Sequence, residues 1–159
     1  MRDGNRQFAV RLLLLLGISM EVSMTGVCGQ SQAPRVAVTS AIEEDSILNL
    51  TLTVSSDAPI SMYESDLPWG NAYSTVILAA TVRGVPLQRE APIDDPGPST
   101  RSLHNGQRLV GKIRLNDRFP ELRRELRKND VLIFWSYEGK TVDGRKLSRS
   151  GGWHALPMK

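Results

Sequence analysis

The stretch Ile47-Leu48-Asn49-Leu50-Thr51-Leu52-Thr53-Val54 constrains this chain more than any other. Leu48, Leu50, Leu52 and Val54 recur at every second position, with Asn49, Thr51 and Thr53 between them. Successive side chains of a strand point to opposite faces, so this spacing makes one face dry and the other wet. A sheet with one dry face is characteristically antiparallel. Other segments follow the same logic. Arg35–Thr39, Ser74–Val82 and Arg108–Leu115 read as strands, and Ile60–Tyr63 reads as a short strand or ordered edge. In Arg108–Leu115 the residues Leu109, Ile113 and Leu115 share a face with Gly111, which predicts a close approach or a bulge there. Val131–Tyr137 is apolar on both sides, with Val131, Ile133, Trp135 and Tyr137 on one and Leu132 and Phe134 on the other. That pattern predicts a central strand covered on both faces.

Turn residues separate these runs. Glu43–Ser46, Ser55–Pro59, Asp66–Asn71 and the segments around Gly139 and Gly144 are turn-like. Arg89–Gln107 holds Pro92, Pro96 and Pro98 and reads as a long irregular connection between strands. Pro120 suits the first turn of a helix, and Phe119, Leu122 and Leu126 lie along one side of it, which predicts one short helix over residues 120–127. Ser148–Gly152 reads as flexible linkage, and Trp153–Leu156 as the last strand or a tail. No βαβ rhythm of long helices is present. The expected fold is mainly β, an antiparallel β-sandwich with that one short helix; a barrel is the alternative.

The stretch from Leu115 to Phe134, with Leu122, Leu126, Asp130 and an aromatic-rich strand, resembles the approach to the penultimate strand of immunoglobulin-like domains. The sequence departs from that pattern in having Phe134 and Trp135 where a strand tyrosine recurs, and in lacking the cysteine pair. The resemblance covers the last third of the chain. It implies an immunoglobulin-like sandwich and no activity.

At the amino terminus Arg2, Arg6 and Arg11 precede an apolar run from Leu12 to Met20, too short to span a bilayer as a helix. Basic residues followed by such a run predict a bacterial-type secretory leader over residues 1–29, and one domain over residues 30–159. A buried amino-terminal helix is the alternative. Removing the leader takes the formal charge from +3 to +2, since it carries three basic and two acidic residues. Cys28 is the only cysteine, and cleavage after Gly29 would remove it. Membrane association is expected only through an uncleaved leader or a lipidated Cys28. A periplasmic or secreted location follows. Nucleic acid is not an expected partner, because Glu125 interrupts the densest basic stretch, Arg123–Lys128.

Chemistry-bearing groups are sparse. His104 and His154 show no metal-ligand spacing. Glu64 and Asp66 share a side if extended, and Asp94 and Asp95 are adjacent, but all four stand in turn-rich loops. No cofactor or metal is expected. The aromatic residues Trp69, Tyr73, Trp135, Tyr137 and Trp153 are the candidate binding surface for a protein or glycan. Trp135 and Tyr137 share a strand side, and either form a platform or fill the core. The sequence therefore predicts a non-catalytic protein- or glycan-interaction module. The alternatives are a small hydrolase or carbohydrate-processing enzyme using Glu64, Asp94, Asp95 or His104, and a peptidase inhibitor presenting residues 89–107.

Overall fold

The computed structural model describes residues 34–44, 46–90, 97 and 99–159. The expected leader and Cys28 lie outside the described residues, as do Asp94 and Asp95. The described chain is mainly β, with short helical turns. Its strands are β1 (Arg35–Glu43), β2 (Ile47–Ser55), β3 (Ile60–Tyr63), β4 (Thr75–Thr81), β5 (Thr100–Leu103), β6 (Arg108–Arg114), β7 (Val131–Lys140) and β8 (Lys146–Leu156). They pair antiparallel in three sheets, in the orders β1-β2-β6, β3-β5 and β4-β7-β8.

The alternation in β2 does what its spacing predicts. Leu48, Leu50 and Leu52 are fully buried and Val54 nearly so. They join Val36 and Val38 of β1, Ile113 of β6, Ile77 of β4 and Ile133 of β7 in one core. β1 runs four residues further than expected, pairing Ser40–Glu43 with Ile47–Leu50. The turn that follows holds Glu44 in a left-handed conformation, at φ 50°.

Four expectations are corrected. Arg89–Gln107 is not wholly irregular, because Thr100–Leu103 forms β5 against β3. Only Leu103 of β5 is buried, so no alternation announced it. The helix over 120–127 is instead two single turns, α1 (Leu115–Arg118) and α2 (Leu122–Glu125). Pro120 disfavours helical geometry at the residue before it, and Phe119 sits at φ −135°, ψ 85°, outside the helix. Leu115 consequently opens α1 rather than closing β6, yet it is fully buried. Ser148–Gly152 is not a linker but part of β8. Lastly, β7 is central to its sheet but open on its second face, with Leu132 half-buried and Phe134 exposed.

One more residue of β8 than of β7 lies between the pairs Glu138↔Arg149 and Lys140↔Lys146. Such a bulge reverses which side later residues face. Leu147 and Leu156, on opposite strand parities, thereby both reach the core. Gly144, at φ 83°, makes the tight turn from β7 into β8, a conformation glycine adopts without strain.

The free edge of β1 lies along β8, where side chains rather than a backbone ladder provide the links. The Val38 backbone N–H donates to Ser150 Oγ at 3.0 Å, and Ser40 Oγ hydrogen-bonds His154 Nε2 at 2.7 Å. These contacts join the two three-stranded sheets along a polar seam.

Replacing Leu50 with Ala removes a side chain with no exposed surface. The expected loss is about 2–5 kcal/mol of unfolding free energy. Denaturant titration checks it, and a loss under about 1 kcal/mol would contradict the burial.

Candidate functional site

The two apolar sides of β4 and β7 meet different surroundings. Ile77, Ala79, Ile133 and Trp135 enter the core, whereas Val76, Leu78 and Phe134 face out. Strand register places Leu78 opposite Phe134, and Phe134 opposite Trp153 of β8. Three large apolar side chains thus form one row across the sheet, exposed by 60%, 43% and 62%. The neighbouring row is Ala80, Leu132 and Ala155, and the next is Val76, Ser136 and Gly151. Charge borders the face at both ends, with Lys146 and Arg149 paired to Glu138 at one and the exposed Asp130 beside Val82 at the other. A contiguous apolar face of this kind marks an interaction surface more often than idle solvent exposure.

The five aromatic candidates do not assemble into one platform. Trp153 lies in the exposed row. Trp135 is 5% exposed and fills the core, its indole against Gly152. Tyr137 is also buried, and its hydroxyl donates to the Asp66 backbone carbonyl at 2.9 Å. Burial pushes the Tyr137 phenol above its usual range, and the nearby Asp66 charge adds to the rise. Of the two readings of their strand side, Trp135 and Tyr137 therefore take the core-filling one. Tyr73 is exposed, with the Arg89 guanidinium 6.0 Å from its ring centre. Trp69 is half-buried on a separate part of the molecule, where its indole covers Gly111. A Cβ at Gly111 would fall 1.9 Å from the indole, so the predicted close approach is real. Leu78 and Phe134 are not among the five candidates. Their signal was present as two-sided apolarity in strands whose second face is uncovered.

The polar groups are dispersed. Glu64 accepts from Ser99 Oγ at 3.0 Å and from Arg101 Nε at 3.0 Å, and these bonds hold its carboxyl below the usual range. His104 follows β5, at the other end of the β3–β5 ladder from Glu64. Asp66 Oδ2 lies 3.9 Å from Lys140 Nζ. Among the described residues no group of three or more His, Cys, Asp or Glu side chains could hold a metal ion. Nor is any described helix long and apolar enough to cross a membrane. No protein-family model matches the sequence, and no curated protein matches it.

His154 is partly buried at the β1–β8 seam, and desolvation holds its pKa below the ordinary 6.5. The folded state then binds fewer protons than the unfolded state across that window, so stability rises with pH. The contribution is complete above about pH 6.5 and is lost as pH falls toward the lowered value. The shifted carboxylates Glu43, Glu64 and Asp143 titrate below their ordinary values, in a more acidic window. Melting temperature should fall between pH 7 and pH 5.5, and His154→Gln should flatten that slope. An unchanged slope in the variant would contradict the assignment.

Proposed function

We propose that this is an exported, non-catalytic interaction module, a single immunoglobulin-like β-sandwich over residues 30–159, that binds a protein partner through the outer face of β4-β7-β8. The row Leu78–Phe134–Trp153 carries the reading. The basic leader with its run from Leu12 to Met20 supports export to the periplasm or beyond. The two three-stranded antiparallel sheets and their common core support the sandwich.

A protein suits this face better than a glycan. Sugars need hydrogen-bonding groups beside a stacking ring. Trp153 is bordered by Phe134, Leu132 and Ala155, and Ser136 is the single hydroxyl among its cross-strand neighbours. Covering the three exposed side chains hides roughly 400 Å² of apolar surface, about 10 kcal/mol at 25 cal/mol per Å². Association itself costs about 4–15 kcal/mol, so the flanking Val76 and Leu132 must be covered too. A partner of ordinary interface size reaches them.

Photo-crosslinking tests this directly. A benzoylphenylalanine replacing Trp153 in the producing cells should give a discrete protein adduct. The same group replacing Val142, exposed on the β7–β8 turn, should not. Leu78→Lys should lower the Trp153 adduct at least fivefold while changing stability by no more than about 1 kcal/mol. Absence of the adduct, or indifference to Leu78→Lys, would overturn the proposal.

A further inference from the structure

A second surface lies on the other sheet, at the free edge of β6. That strand ends the order β1-β2-β6. The Leu115 backbone N–H donates to Ser46 O at 2.7 Å, and the Val54 N–H donates to Gln107 O at 3.1 Å. Both bonds fit one antiparallel register, in which Leu109, Gly111 and Ile113 turn their backbone groups toward β2. Arg108, Val110, Lys112 and Arg114 turn theirs away, and among the described residues no backbone group pairs with them on that side.

Two clefts open beside this edge, with Trp69 lining both. One is bordered by Leu109, Val110, Glu64 and Arg101, the other by Ile113, Arg114 and Asp117. Leu109 and Ile113 are four residues apart, about 13 Å along a strand. An added strand presents inward side chains at every second residue. Two of them, four residues apart, would enter the two clefts, and the one between them would meet the Trp69 indole over Gly111.

The charge of the edge selects the occupant. Arg108, Lys112 and Arg114 are all exposed, and β6 carries no acidic residue. A second copy of β6 would set cation against cation, which is unfavourable for directly opposed strand residues. Lys112 Nζ is already paired with Glu43 Oε2 at 2.7 Å, so an acidic strand is attracted chiefly by Arg108 and Arg114. We propose that the free edge of β6 takes up an extended, acidic segment of another polypeptide as an added strand, seated on either side of Trp69. This site is separate from the β4-β7-β8 face, so either can fail without the other.

The test uses the full chain and two fluorescein-labelled decapeptides, one alternating Val and Glu, the other alternating Val and Lys. Anisotropy should show the Glu peptide binding at least tenfold more tightly. Hydrogen exchange should show the Val110 and Lys112 amides fast in the free protein and at least tenfold slower with the Glu peptide. Val110→Pro removes an N–H that faces the free edge and leaves the ladder to β2 intact, so binding should fall tenfold or more. The double variant Arg108→Glu, Arg114→Glu leaves the Lys112–Glu43 pair in place, gives the same loss and decides the matter if the proline variant does not fold. Equal or absent binding of both peptides would overturn the proposal. So would Val110 and Lys112 amides as protected in the free protein as Gly111, since the edge would then already be filled.

Discussion

Burial of one side of β2 is the constraint on which the other elements depend. Leu48, Leu50, Leu52 and Val54 have almost no exposed surface, and no single neighbouring strand could cover them. Their burial requires apolar sides from β1, β4, β6 and β7 at the same time, and the shared core contains them. Because side chains alternate with period two, a one-residue slip of β2 would bring Asn49, Thr51 and Thr53 inward. The register with β1 and β6 is fixed by that penalty more than by any turn. The connecting segments then tie down at the sheet margins, as Phe119, Leu122 and Leu126 do around the two short helical turns.

The large aromatic fillers share a device. Trp135 sits against Gly152, Trp69 against Gly111, and the Tyr137 hydroxyl beside Gly139. Each glycine is in a strand, where it weakens local pairing but leaves room for a ring. The glycines at 111, 139 and 152 thus serve packing rather than turning. Trp135 and Tyr137 are thereby buried, Trp69 stays half-exposed, and the outer face of β4-β7-β8 is left with Leu78, Phe134 and Trp153.

Much of the architecture was legible in the sequence, through strict alternation in β2 and through the near-continuous apolar run of Val131–Tyr137. β5 was not, because three of its four residues are exposed and only backbone bonds to β3 define it. The split of one helix into two turns depends on the backbone at Phe119, which the spacing of Leu122 and Leu126 does not encode. The β8 bulge was hidden for a related reason, since Leu147 and Leu156 fall on opposite parities and mimic a broken pattern. Of the candidate site, Trp153 was legible as an aromatic. Phe134 and Leu78 were assigned to a strand but not to a surface, because two-sided apolarity predicts a covered strand and does not say whether this chain or another covers it.

The partition of the tryptophans between core and surface is the claim on which the account of the core and of the β4-β7-β8 face rests. Hydroxyl-radical footprinting of the folded chain reads it in one experiment, through the oxidation rate at each indole. Trp153 should oxidise fastest, Trp69 at an intermediate rate and Trp135 at least tenfold more slowly than Trp153. Rapid oxidation of Trp135, or protection of Trp153 in the isolated protein, would contradict the account.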